Sequence, residues 1–137
     1  MDIPQLDRSS YLKGLLITAR KDNQLSESEI SIIKKIATRL GFSSDFFNET
    51  ISNLLENRYI TEEPIKFSEQ NIAKSFIEDG LKLALSDESL NDDEMNWLKD
   101  TAKENDLAED WVDKKMKEIQ GKPHLLGKMD FALFSLI

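Results

Sequence analysis

The chain lacks several of the residues that build small disulfide-bonded, zinc-binding or all-β proteins. Its 137 residues include no cysteine, one histidine (His124), five glycines and three prolines. The absence of cysteine excludes disulfides, thiolate zinc sites and cysteine nucleophiles, and a single histidine makes a zinc site improbable. So few glycines and prolines also argue against a sandwich of many short strands and turns. The composition is therefore typical of a helical protein.

Long apolar runs and an excess of basic residues are also missing. No stretch approaches the roughly 18 apolar residues of a membrane span, and the first residues, MDIPQLDRSS, do not read as a signal peptide. We therefore expect a cytoplasmic protein. The net charge is −8, and residues 80–120 carry 12 acidic against 6 basic side chains. Because phosphate binding needs a basic surface, we do not expect a nucleic-acid partner.

Sequence motifs for catalysis are absent as well. The chain has no glycine-rich phosphate-binding loop and no G-x-S-x-G motif around a serine nucleophile. Paired carboxylates could in principle carry out acid–base chemistry, but nothing in the sequence indicates a substrate pocket. We therefore expect a protein that is not an enzyme and has no catalytic residues.

Apolar residues recur with helical spacing through most of the sequence. In the first half they form three stripes, comprising Tyr11, Leu12, Leu15, Leu16 and Ala19; Ile30, Ile33, Ile36, Ala37 and Leu40; and Phe46, Phe47, Thr50, Ile51, Leu54 and Leu55. We expect each stripe to face the core. Gly41 stands where a glycine commonly ends a helix, and Pro64 interrupts the helical pattern between the two halves.

The second half repeats the first after a shift of 65 positions. Under this shift Ala19, Asp22, Leu25, Glu29, Ile33, Ala37, Phe42 and Phe46 fall on Ala84, Asp87, Leu90, Glu94, Leu98, Ala102, Leu107 and Trp111. The pattern predicts an all-α, single-domain protein (1–137) built from a duplicated three-helix unit. We place repeat 1 at about 11–57, the connection at 58–67, repeat 2 at about 68–120 and a C-terminal extension at 121–137. Because each unit has too little core to be stable alone, the halves should pack face to face.

Two similar octets, DNQLSESE from Asp22 and DESLNDDE from Asp87, precede the second helix of each repeat. Ser26-x-x-Glu29 is a capping box, and the second octet has its equivalent at Asn91-x-x-Glu94. A cap of this kind contributes about 1 kcal/mol. Much of each octet is therefore explained by helix formation alone.

The aspartates of the octets are not explained by capping. Asp22 and Asp87 follow the preceding helix, where the helix dipole disfavours an anion by roughly 0.3–1 kcal/mol. Either they form turns, or they join the glutamates as ligands of a hard cation such as Ca²⁺, which takes six to eight oxygen ligands. Neither octet is an EF-hand loop, because Glu27 and Asp92 occupy the position where that loop has glycine.

The octets and their flanks resemble the tellurite-resistance TerB family and the wider TerB-like fold. The resemblance rests on ARKDNQLSESEISIIKKIATRLG from Ala19 and ALSDESLNDDEMNWLKDTAKEND from Ala84, and it covers roughly residues 11–120. It implies an all-helical module from a stress-response system with no catalytic activity. It further implies a Ca²⁺-binding cluster at the matching acidic positions, which are Asp22, Glu29, Asp87 and Glu94. In the position of the family's glycine this chain has Asn23 and Glu88.

The C-terminal extension has no counterpart after the first repeat and is strongly apolar. Its residues that we expect to make contacts are Leu125, Leu126, Met129, Phe131 and Phe134. Left exposed, they would form an adhesive patch. We expect the extension to dock across the core, and the alternative is insertion into a partner protein or a neighbouring subunit. In that alternative the chain is an interaction or scaffold domain whose acidic motifs only cap helices.

Deleting residues 123–137 is expected to lower the free energy of unfolding by several kcal/mol, since each large apolar side chain that is fully buried contributes about 1.5–3 kcal/mol. Thermal unfolding followed by circular dichroism would measure this loss. A truncated protein that melts unchanged but no longer binds a partner would show that the extension acts between molecules.

Overall fold

The computed structural model describes residues 3–20, 27–56, 63–85, 92–120 and 131–135. They form α1 (Gln5–Arg20), α2 (Glu27–Arg39), α3 (Ser44–Glu56), α4 (Gln70–Leu85), α5 (Asp92–Glu104), α6 (Glu109–Gln120) and a C-terminal 3₁₀-helix (Ala132–Ser135). Within these ranges there is no strand. The predicted all-α fold class is therefore confirmed.

The end of α2 follows the prediction made from its glycine. Gly41 has a φ of 96°, a left-handed conformation that glycine adopts without steric cost. The N–H groups of Gly41 and Phe42 donate to the carbonyls of Thr38 and Ala37, each at 3.0 Å. This pair of bonds is the Schellman motif, which satisfies the last carbonyl groups of a helix.

The same helix end recurs after α5. Asp106 has a φ of 61°, and aspartate tolerates this region better than most residues. The N–H groups of Asp106 and Leu107 donate to the carbonyls of Lys103 and Ala102 at 3.1 and 2.9 Å. These four residues are Gly41, Phe42, Thr38 and Ala37 shifted by 65 positions. The bounds of α4 and α5 are likewise those of α1 and α2 plus 65, so helix boundaries and sequence repeat with one period.

Helices α1 and α4 pack against each other at the centre of the molecule. α1 also contacts α2 and α5, and α4 contacts α5, α6 and the 3₁₀-helix. Two glycines allow close approach: a Cβ atom on Gly14 would lie 2.5 Å from the Phe76 ring, and one on Gly80 would lie 2.7 Å from Leu98. Fully buried side chains on α1 and α4 include Tyr11, Leu15, Leu16, Ile17, Ile72, Phe76, Ile77, Leu81 and Leu83.

The inward orientation predicted for Phe46 is wrong. Its side chain is 47% exposed, and its ring stacks on the half-buried Phe42 ring with centroids 5.1 Å apart. The adjacent Phe47 is only 2% exposed. Successive side chains on a helix point about 100° apart, so two adjacent phenylalanines cannot both face the middle of one interface. The sequence pattern did not indicate which of the two turns outward.

The connection into α4 is non-helical over residues 63–69 and is held by polar side chains. The carboxylate of buried Asp7 on α1 accepts hydrogen bonds from the Ser68 N–H, at 3.1 Å, and from the Ser68 hydroxyl. Asn105, in the turn after α5, accepts from the Phe67 N–H at 2.8 Å and donates to the Ile65 carbonyl at 2.6 Å. The connection is thus fastened both to α1 and to the turn between α5 and α6.

Replacing Gly14 by Ala is expected to lower the free energy of unfolding by about 1–2 kcal/mol. Overpacking a core costs about 1–3 kcal/mol, which outweighs the gain of up to about 1 kcal/mol in helix propensity. Urea denaturation measures the loss. Ser9→Ala, at an exposed position of the same helix, is the control and should change stability little. A Gly14→Ala protein as stable as the parent would contradict the close contact with Phe76.

Candidate functional site

Each of the predicted metal-binding glutamates is the third residue of a helix. Glu29 lies in the first turn of α2 and Glu94 in the first turn of α5, and each is only 1% exposed. Both have interacting partners in the structure. Glutamate is almost never buried to this extent unless it is paired, so these two positions differ from ordinary surface helix caps.

Other acidic residues in the same turns behave differently. Glu27 and Asp92 are the first residues of α2 and α5, and both are exposed. They are also related by the shift of 65 positions. Each turn therefore contains one buried and one exposed carboxylate, both at the positively polarised end of a helix. The exposed pair provides a matched comparison for the buried pair, Glu29 and Glu94.

The aspartates predicted to complete the site, Asp22 and Asp87, lie outside the described residues. Among the residues that the structure does describe, no group of three or more histidine, aspartate or glutamate side chains could hold a metal ion. The described helices thus place two of the four predicted ligands in equivalent buried positions. They contain no complete cation site by themselves.

A second buried polar centre surrounds Asp79 on α4, which is 0% exposed. One carboxylate oxygen, Oδ1, accepts a hydrogen bond from the Ala132 N–H at 2.7 Å. The other, Oδ2, accepts from the Leu133 N–H at 3.2 Å and from the Tyr11 hydroxyl. The Tyr11 oxygen also lies 3.0 Å from Oγ of Ser75. One carboxylate therefore links α1, α4 and the C-terminal 3₁₀-helix.

Burial dominates the electrostatics of this centre. It raises the pKa of Asp79 from 3.8 to about 6, and the hydrogen bonds from Tyr11, Ala132 and Leu133 and the charge of Lys82 partly oppose the increase. The pKa of Tyr11 is raised well above its ordinary value, chiefly by burial and then by the neighbouring Asp79. Near neutral pH Tyr11 is therefore a neutral donor to a carboxylate that is mostly ionised.

The Asp79 centre is suited to attachment rather than to catalysis. General acid–base chemistry requires the titrating group to reach a substrate. Here Asp79 and Tyr11 are both 0% exposed, and their polar atoms are engaged with one another and with backbone groups. The arrangement holds the 3₁₀-helix against α1 and α4.

Sequence reasoning missed Asp79, although a signal was present. Asp79 lies three residues after Phe76 and two before Leu81, inside the apolar stripe of α4. Helical spacing places such a residue on the buried face. An acidic residue at a core position needs a partner, and this requirement could have identified Asp79 as a buried polar centre.

The predicted contact residues of the C-terminal extension are only partly within the described range. Those outside it are Leu125, Leu126 and Met129. Phe131 is 6% exposed and Leu133 is 0% exposed, and both belong to the hydrophobic core. The backbone of Phe134 lies in the 3₁₀-helix. For residues 131–133, docking is therefore within the chain, and the Phe131 side chain is occupied by intramolecular packing.

No protein-family model, curated protein or solved structure matches this chain. None of the helices in the described part is long and apolar enough to cross a membrane. The function has to be argued from the geometry of the chain itself.

Replacing Tyr11 by Phe is expected to lower the free energy of unfolding by about 1–3 kcal/mol, because a buried carboxylate loses a hydroxyl donor while the ring packing is kept. Ser75→Ala is the comparison, since it leaves the bond between Tyr11 and Asp79 in place and should cost about 1 kcal/mol or less. Urea denaturation measures both. Equal losses in the two variants would contradict a central role for the Tyr11–Asp79 bond.

Proposed function

We propose that this protein is a non-enzymatic, acidic binding module of the TerB-like type. In this proposal it holds Ca²⁺ or a similar hard cation at Asp22, Glu29, Asp87 and Glu94. The setting would be a stress response such as tellurite resistance. The observation that carries the proposal is the equal, nearly complete burial of Glu29 and Glu94 at positions 65 residues apart.

The proposal includes a duplicated three-helix unit. Three observations support it: the common shift of 65 in the bounds of the first two helices of each half, the start of α6 65 residues after that of α3, and the paired Schellman ends at Gly41 and Asp106. A duplicated unit would present its acidic motif twice. The four proposed ligands would then be two copies of one aspartate–glutamate pair.

The chemistry of the donor set fits a hard cation. Carboxylate oxygens are the preferred ligands of Ca²⁺, which takes six to eight oxygens from mono- or bidentate groups. In the described part of the chain, Glu29 and Glu94 are placed where an anion without compensation would be costly. A bound cation would neutralise this charge and would link the end of α1 to α2 and the end of α4 to α5.

Capping and cation binding make different demands on the same glutamates. A capping box works with glutamine as well as with glutamate, since either side chain can accept the hydrogen bond from the cap N–H. A Ca²⁺ ligand needs the negative charge and two oxygens of a carboxylate. Glu29→Gln/Glu94→Gln therefore preserves the capping role and removes the ligands.

Calorimetric titration of the full chain with Ca²⁺ tests the proposal. We expect binding at micromolar to low-millimolar Kd, with a rise in melting temperature in excess Ca²⁺. Both effects should be lost in Glu29→Gln/Glu94→Gln and in Asp22→Asn/Asp87→Asn. The matched control is Glu27→Gln/Asp92→Asn, which removes the same charge from exposed positions in the same two turns and should retain binding.

Two results would contradict the cation site. One is the absence of both heat and a thermal shift in excess Ca²⁺. The other is an equal loss of binding in the buried-pair and exposed-pair variants, which would indicate nonspecific attraction to the net negative charge. Either result would leave the interaction or scaffold domain as the better hypothesis, with the acidic motifs acting only as caps and turns.

A further inference from the structure

The attachment of the 3₁₀-helix combines apolar packing with a pair of charge-dependent hydrogen bonds. Phe131 and Leu133 insert into the core, and the successive N–H groups of Ala132 and Leu133 both donate to the carboxylate of Asp79. In the described part of the segment, F-A-L-F-S, there is no ionisable side chain. Any effect of pH on its attachment must therefore come from the surface that receives it.

We propose that residues 131–135 form a detachable clasp on α1 and α4, held tightly when Asp79 is protonated and more weakly when Asp79 is ionised. The clasp would be a pH-sensitive closure built into the fold. This inference is independent of the proposed cation site, because none of the four proposed ligands contributes a hydrogen bond to it.

The physical reason is the hydration that Asp79 lacks while the clasp is closed. A carboxylate offers about four lone-pair sites, and in the closed state three donors serve Asp79, which has no exposed surface. Opening the clasp removes two of these donors and admits water. A neutral carboxyl group gains little from that exchange, whereas an anion gains its hydration. Ionisation therefore shifts the equilibrium towards the open clasp.

Other ionisable groups around Asp79 come from its own helix and from its neighbours. On α4 these are Lys82, which acts on Asp79, and Glu78, which acts on Tyr11. α1 presents Tyr11, and α6 presents Lys115, whose Nζ lies 3.9 Å from Glu78. α5 packs on this part of α4 through the apolar side chains of Leu98 and Trp97. Among these ionisable groups, Asp79 accepts the two bonds from the clasp.

The direction of the pH effect follows from the raised pKa of the closed state. Asp79 has a pKa of about 6 when buried and an ordinary value of 3.8, so the closed clasp binds the proton more tightly than the open one. The stabilisation is complete below pH 3.8 and is lost as the pH rises through 6. Two pKa values so separated predict a fall on the order of tenfold in the closing equilibrium constant between pH 5 and pH 8.

Hydrogen exchange in the intact protein tests the clasp. NMR would give the protection factors of the Ala132 and Leu133 amides from pH 5 to pH 8, corrected for intrinsic exchange, with the α4 amides of Leu81 and Leu83 as the internal reference. We expect clasp protection to fall about tenfold relative to the reference. The ¹³C shift of the Asp79 carboxyl group should titrate with a midpoint near pH 6.

Variants separate Asp79 from the other acidic residues. Asp79→Asn should make clasp protection independent of pH, and the control Asp110→Asn, at an exposed position of α6, should leave the pH dependence unchanged. Tyr11→Phe should move the midpoint to higher pH, because the Tyr11 hydrogen bond lowers the pKa of Asp79. Should Asp79→Asn fail to fold, the Tyr11→Phe shift and the Asp79 ¹³C titration still decide the question.

Three results would overturn the proposal. The first is clasp protection that does not change between pH 5 and pH 8 in the parent protein. The second is an unchanged pH dependence in Asp79→Asn. The third is exchange of the Ala132 and Leu133 amides only together with the α4 reference amides, since the segment would then open only on global unfolding and would not be a separate clasp.

Discussion

The close contact between α1 and α4 is the interaction on which the other features depend. Gly14 lets the two helices approach until its Cα lies against the Phe76 ring, and this approach brings the Tyr11 hydroxyl to Asp79. α5, α6 and the 3₁₀-helix then pack on α4, while α2 packs on α1. A small residue at one position thus sets the spacing on which both the apolar core and the buried polar centre rely.

The buried polar side chains share one task, which is to serve backbone that no helix can satisfy. Asp7 accepts from Ser68, Asn105 pairs with Phe67 and Ile65, and Asp79 accepts from Ala132 and Leu133. Buried backbone N–H and carbonyl groups need partners, and non-helical segments find theirs in side chains. Each of these side chains therefore fastens a non-helical segment to the helical core.

Much of the helical framework was predictable because its signals are local. The period of the apolar residues, the glycine after α2 and the proline before α4 all act within a few residues, and the structure follows them. Phe46 shows the limit of such signals, since adjacent phenylalanines look alike until the packing selects Phe47. Glu29 and Glu94 were recognised as candidates from the repeat, but their sequence could not distinguish them from the exposed Glu27 and Asp92.

By itself the sequence determined the all-helical class, the repeating helix boundaries and the acidic residues at the helix starts, because each depends on neighbours along the chain. Only the tertiary structure decided which carboxylates are buried and where the end of the chain docks. Asp79 meets Tyr11 across 68 positions and Ala132 across 53. Burial and the resulting pKa are properties of such distant neighbours, and no local pattern contains them.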